Sequence, residues 1–393
     1  GVITVTAPNT STDRTITLPD ATGSLLTSAD VPIQTSATSN IGLGANAVDS
    51  ITTGDNNVGL GDNALTAATS GGSSVAVGVG ALQTMTTQTD NVAVGLNALR
   101  DNTASHTTAL GSYALYQNTS GAGNTALGYT ALESNTTGAS NTSVGQNSLY
   151  ANTTADNNTA VGKDALKLNT TGASNTAVGK SSLSANTTAD SNTSIGYASM
   201  LANTTGSGNT AVGRQALTSN TTAVNNTAIG SSALILNTTG TNNTALGANA
   251  LDSNTTGSGH TILGKQAGHN ITTGTDNTAV GYLSLSETTT GSQNTAVGKQ
   301  SLVENTTGER NAAVGETALR SNTTGIRNTA IGRAALSTTQ TASYNVAVGH
   351  SVMGDTTTGH SNTGVGTGAL NDLLTGDRNI GIGYNTQVSA TGA

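Results

Sequence analysis

The chain has 393 residues, a formal net charge of -8, and only 9% charged and 2% aromatic residues, with 50 Gly and no Cys, Trp or Phe. That composition departs from an ordinary globular enzyme, which carries more charge and more large core formers. It excludes disulfides, thiolate metal sites and a Cys nucleophile. With 13 Lys+Arg on an acidic chain it also argues against a nucleic-acid-wrapping surface.

Residues 1–39 come first and stand apart from the remainder of the chain. They hold all three prolines, Pro8, Pro19 and Pro32. ITVTA and RTITLPDATGSLL alternate polar and apolar residues, the second around a turn signal at Asp20–Gly23. We expect a small β-rich cap or connector here, able to close a solenoid end or join it to a preceding domain.

From Asn40 onward the sequence repeats. Taking the Asn of NTAVG as position 1, it recurs at 40, 57, 74, 91 and 107, then at 124, 141, 158 and every 17 residues to 379, with one 16-residue step after Asn91. The short step loses its residue within DNTASH, Asp101–His106. Residues 40–393 thus hold twenty-one copies, and a fixed period of this kind signals a solenoid. Position 5 is Gly in every copy, as at Gly128, Gly145, Gly162, Gly179 and Gly196. Position 4 is always Val, Ile or Leu. Position 9 is aliphatic except at Gly268 and Gln387, and position 3 is Ala, Gly or Ser except at Ile262. Positions 12 to 15 read Asn-Thr-Thr-Gly or a close variant.

A Gly in each unit and NTTG punctuation oppose a helical repeat, whereas the β-branched x-A-V-G suits a short strand. The expected fold is therefore all-β, a parallel β-solenoid or β-roll of 21 coils with two or three short strands in each. At roughly 4.8 Å per coil it would make a rod on the order of 100 Å long. Position 5 would need a backbone that only Gly adopts, or a close approach. Position 2 alternates between Thr and Val or Ile, which share a shape, so positions 2 and 4 are expected to point inward with position 9. Position 3 would then face outward, where its small size calls for a close-packed neighbour. Ala126, Ala160, Ala177 and Ala211 are accordingly candidate inter-chain contacts. Asn and Thr at positions 1 and 12 to 14 can bond turn backbone and their own copies above and below. A core this thin favours a homo-oligomer. Nothing in the sequence resembles a cap at the C-terminal end, which suggests a downstream domain.

SSVAVG (Ser73–Gly78), DNVAVG (Asp90–Gly95) and YNVAVG (Tyr344–Gly349) resemble the NSVAIG-type motif of YadA-like trimeric adhesin heads. That resemblance implies a β-roll assembled as a trimer. TITLPDATGSLLT (Thr15–Thr27) resembles segments of phage tail fibres, whose NTAVGxxALxxNTTG-like repeats precede a cleavable C-terminal chaperone. The expected function is a structural virion fibre, extracellular, acting as spacer and host-attachment device. It would join other virion proteins at its N-terminal end and could touch host glycans. The alternatives are a bacterial surface adhesin joined to cell-surface proteins and, more remotely, an ice-binding solenoid. The inward reading of position 2 leaves few Thr rows for ice.

No HExxH, GxSxG, phosphate-loop or paired-carboxylate pattern occurs, and we expect neither catalysis nor a cofactor. No apolar run approaches a transmembrane length, so no membrane insertion is expected. The N-x-T triplets at Asn135, Asn169 and Asn203 are by-products of the repeat. One row is not bland. Position 6 collects Tyr129, Lys163, Lys180, Tyr197, Arg214, Lys265, Tyr282, Lys299 and Arg333, with His350 and Tyr384 beyond, and six of the 13 Lys+Arg lie there. Stacked coils would line these up as an interrupted stripe. It is either receptor-facing or a solvated corner that keeps the rod soluble.

Overall fold

The computed structural model describes residues 39–387, so the N-terminal element expected over 1–39 lies, apart from Ser39, outside the described residues. The rest is a parallel β-solenoid with one strand in each coil. Twenty-one three-residue strands run from β1 (Ile41–Leu43) through β8 (Thr159–Val161) and β14 (Thr261–Leu263) to β21 (Ile380–Ile382). Each pairs in register with the next. In β8, Thr159, Ala160 and Val161 lie against Thr176, Ala177 and Val178. The short step falls between β4 (Val92–Val94) and β5 (Thr108–Leu110), yet Val92 still faces Thr108.

The remaining fourteen or so residues of a coil are turns, not the second or third strand expected. They return the chain through left-handed backbone at positions 7, 9 and 17, as at Asp164 (φ 58°), Leu166 (φ 49°) and Ser174 (φ 58°). A left-handed Leu costs roughly 1–2 kcal/mol. It persists because its N–H is bonded to the neighbouring coil, Leu166 to the Ser182 carbonyl at 3.1 Å, so backbone pairing continues around the turns. At position 5, Gly162 has φ 133°, and a Cβ there would meet the Gly179 carbonyl oxygen at 2.6 Å. Gly128, Gly145, Gly179 and Gly196 share that conformation, as expected of turn glycines.

The strand orientation is the reverse of the one expected. Position 3 faces inward, and Ala126, Ala160, Ala177 and Ala211 are fully buried within their own chain. They are core residues, not inter-chain contacts. Positions 2 and 4 face outward at partial to full exposure. The physical reason is the width of the coil. Leu166 at position 9 and Ala165 at position 8 fill the space opposite Ala160, leaving room for one large side chain between positions 3 and 9. At Gly381 even a Cβ would sit 2.6 Å from Leu370 Cγ. One coil shows the rule by exchange. Where position 9 is Gly268, position 3 is Ile262, fully buried, and its Cδ1 lies 3.4 Å from where a Cβ on Gly268 would be.

The other half of the interior is amide. Asn158 Oδ1 accepts the Asn175 N–H at 2.9 Å, and Asn158 Nδ2 donates to the Gly172 carbonyl at 2.9 Å. Asn169 Nδ2 donates to that same carbonyl and to Asn152 Oδ1 in the coil before. Both expected Asn ladders therefore form, tying the strand's start to the turn three residues past Asn169. Thr170 Oγ1 adds a bond to the Thr187 carbonyl at 3.0 Å. Asn135, Asn169 and Asn203 are fully buried by this arrangement, so their N-x-T triplets are closed to glycosylation in the folded chain.

Candidate functional site

Three surface features arise from this coil. The first is the position 6 row. It sits just past Gly of position 5, where the chain leaves the sheet, and Lys163, Lys180, Arg214, Lys265, Lys299 and Arg333 are all exposed there. Tyr129, Tyr197 and Tyr282 are 54%, 50% and 44% exposed. In-register stacking makes the row a stripe along the rod. Toward the C-terminal end it is largely compensated, since Glu316 stands between Lys299 and Arg333 and pairs with both, at 3.7 and 3.5 Å. Arg333 also reaches His350 Nε2 at 3.3 Å. Lys163 and Lys180 occupy adjacent coils and make no ion pair among the described residues. With Arg214 and Lys265, which are likewise unpaired, they carry the stripe's uncompensated charge, and the adjacent pair lies one coil before Tyr197 and two before Arg214.

The second feature is the sheet face. Its outward rows are Thr at position 2 and an aliphatic residue at position 4, the latter well exposed at Leu127 (42%), Ile195 (39%), Ile331 (43%) and others. A continuous apolar row along 21 strands is unusual for a solvated surface. Because the Thr row faces outward, the orientation expected from sequence no longer counts against ice binding.

The third feature is a groove that no sequence motif announces. It has a volume near 590 Å³ and is lined by Tyr113, Tyr129, Thr130, Glu133, Asn147, Tyr150 and Lys167. Two columns of the coil make its walls, position 7 (Tyr113, Thr130, Asn147) and position 10 (Glu133, Tyr150, Lys167), with Tyr129 at the rim. Tyr113 meets Tyr116 with ring centroids 5.6 Å apart and Tyr129 edge-on at 6.5 Å. Arg100, held by Asp101 at 2.8 Å, stacks on Tyr116 with 4.1 Å to the centroid and fixes that ring. A polar chain continues up the position 7 column and ends at Lys167 of position 10. Thr130 Oγ1 donates to Asn147 Oδ1, Asn147 Nδ2 to Asp164 Oδ1, and Lys167 lies 3.6 Å from the same Asp164 oxygen. Burial pushes the Glu133 carboxyl above its ordinary range. Four of the chain's eight Tyr fall in the 38 residues 113–150, and that density was the available signal.

Acid–base chemistry finds one suggestive row. Asp252, His269 and Ser286 stack at position 10 of three successive coils, in the order of an acid, a base and a nucleophile. Asp252 and His269 are 2.5 Å apart, and desolvation raises the Asp252 carboxyl despite the imidazole beside it. Ser286, however, is 1% exposed and its hydroxyl makes no hydrogen bond, so His269 activates no nucleophile there. Among the described residues no group of His, Asp and Glu is arranged to hold a metal. No helix among them is long and apolar enough to cross a membrane.

Compared with protein-family models and with curated proteins, the chain matches none. The fold itself defines the class: an all-β, parallel β-solenoid repeat protein with a 17-residue coil.

Proposed function

We propose that this chain is the shaft of an elongated virion fibre, three copies packed side by side, serving as a rigid spacer and host-attachment device. The observation that supports it is the exposed aliphatic row at position 4. All but two coils place one aliphatic residue inward at position 9, and every coil places one outward at position 4. A single chain leaves the outward row wet, and association removes it from water at roughly 25 cal/mol per Å². Lateral contact runs through positions 2 and 4, replacing the position 3 contact expected from sequence. The position 6 stripe, centred on Lys163, Lys180, Tyr197 and Arg214, stays clear of that contact and meets the host surface. The N-terminal end joins other virion proteins.

Sedimentation of the full chain tests this. The expected species is three times 38.5 kDa, and Ile195→Lys with Ile229→Lys shifts it toward monomer. A well-folded monomer of the unmutated chain overturns the proposal. A bacterial trimeric adhesin remains the second reading, since it shares the resemblance of the VAVG motifs. Ice binding is the third, favoured by the outward Thr row of the sheet. Thermal hysteresis by a monomeric rod would support that reading instead.

A further inference from the structure

We propose that the tyrosine groove spanning the coils of residues 107–174 is a binding site for a neutral saccharide chain. The inference rests on the attachment function proposed for the fibre and names a ligand class for one part of that surface. Each wall of the groove carries a tyrosine ring beside polar side chains. A pyranose ring has a face of C–H groups and a rim of hydroxyls, so it fits a cleft that sets aromatic rings beside polar groups. Tyr113, Tyr129 and Tyr150 supply ring surface in a chain that contains no Trp or Phe. Tyr and its hydroxyl suit a half-wet surface of this kind.

The polar groups are already organised. Thr130, Asn147, Asp164 and Lys167 hold one another, so their remaining donors and acceptors point from fixed positions. Glu133 is different. It lies half-buried between Tyr116 and Tyr150 in the position 10 column, and its carboxylate makes no hydrogen bond or ion pair among the described residues. A half-buried carboxylate without a donor lacks what a pair of sugar hydroxyls would supply. The same charge opposes an anionic glycan. It separates this groove from the Lys163–Lys180 stretch of the stripe, which would attract one. The groove runs along the rod axis, so an extended chain can meet successive coils. In an assembly of several chains, repeated grooves would multiply a weak single-site affinity.

The test uses the full chain and a panel of probes: maltohexaose, cellohexaose, mannohexaose and chitohexaose, with heparin hexasaccharide and tetramethylammonium for contrast. Tyr fluorescence and saturation-transfer NMR read binding. At least one neutral oligosaccharide is expected to bind and to perturb Tyr emission. Tyr129→Ala and Glu133→Gln should each weaken it by about fivefold to tenfold, while Tyr344→Ala, remote from the groove, leaves it unchanged. Tyr129 is exposed, so its variant keeps the fold, and unchanged circular dichroism checks this. The proposal is overturned if no neutral oligosaccharide binds, if binding survives both groove variants, or if tetramethylammonium binds in preference. Cell adsorption that persists in the groove variants, with no saccharide bound, sinks the groove and leaves the attachment function standing. Saccharide binding by a chain that adsorbs to no cell does the reverse.

Discussion

The exchange between Ile262 and Gly268 can be tested as a thermodynamic cycle. Ile262→Ala empties the space that Leu fills in other coils and should cost about 2–5 kcal/mol. Gly268→Leu forces a second large side chain into a coil already filled. The first added atom there would stand 3.1 Å from Ile271 Cδ1 and 3.4 Å from Ile262 Cδ1, and overpacking of this kind costs roughly 1–3 kcal/mol. The double variant restores the pairing of most coils, Ala at position 3 and Leu at position 9. Leu82 beside Met85 shows that a large residue at position 12 tolerates it. The left-handed φ of 59° at residue 268 adds about 1 kcal/mol for Leu over Gly. The double variant should therefore sit within about 2 kcal/mol of the parent, giving a favourable coupling on the order of 3 kcal/mol. Damage in an array is local, so the assay is amide exchange at Thr261 and Gly264, whose N–H groups bond the coils on either side. Additive losses in the double variant would refute the inward assignment of position 3.

Single residues carry the other predictions. His260 replaces Asn in the position 1 ladder: its Nδ1 accepts the Asn277 N–H at 3.2 Å, and its Nε2–H donates to the Gly274 carbonyl at 2.8 Å. Burial pushes it down to about 4 from 6.5, against a weaker upward pull from that carbonyl and from Asp276. Because the folded value is depressed, its contribution is whole above pH 6.5 and falls away as the pH drops toward 4, by about 3 kcal/mol in total. Amide exchange around residue 260 should show this, and His260→Asn should flatten that contribution. Gly162→Ala places a Cβ against the Gly179 carbonyl at a φ that L residues rarely adopt, and should cost about 3 kcal/mol or more in a denaturant titration. Asn158→Ala strips the Asn175 N–H of its acceptor, for about 1–3 kcal/mol, whereas Asn158→Ser should cost less because Ser74 already fills that role for Asn91. Lys163→Gln with Lys180→Gln should leave thermal stability unchanged within about 0.5 kcal/mol and weaken adsorption to the host surface. Unaltered adsorption removes the stripe from the attachment surface.

Period, parallel stacking, the glycine bend and the polar ladders were legible because each appears as an invariant or near-invariant position. The direction of Ala160 was not. Alternation along three residues fixes that position 3 opposes positions 2 and 4, but not which side is the core. Thr-for-Val exchange at position 2 suits a half-exposed row as well as a buried one, and that ambiguity hid the true orientation. The deciding information was the joint departure of Ile262 and Gly268, which has meaning only once position 3 is seen to face position 9. The core place of position 9 was legible, but its backbone was hidden for a different reason. Leu166 in left-handed backbone contradicts its own propensity and is held there by the next coil, a stabilisation that no single repeat carries. The tyrosine groove was missed because its residues sit at positions 6, 7 and 10 of successive coils, so no one row displays it.

The short step between β4 and β5 has a consequence for how such a chain changes. Asn91 Nδ2 and Asn102 Nδ2 both bond the Ala104 carbonyl, the pairing made at position 15 of other coils. The absent residue is therefore position 14, the exposed second Thr of NTT, and register on both sides is kept. Every coil thus carries, at one vertex, a place where the chain can be shortened without disturbing sheet, ladder or core. The same vertex should accept a longer peptide. A row of such sites at the spacing of the strands, roughly 4.8 Å, would let the rod carry a dense, ordered display of foreign sequence while its length is set independently by the number of coils.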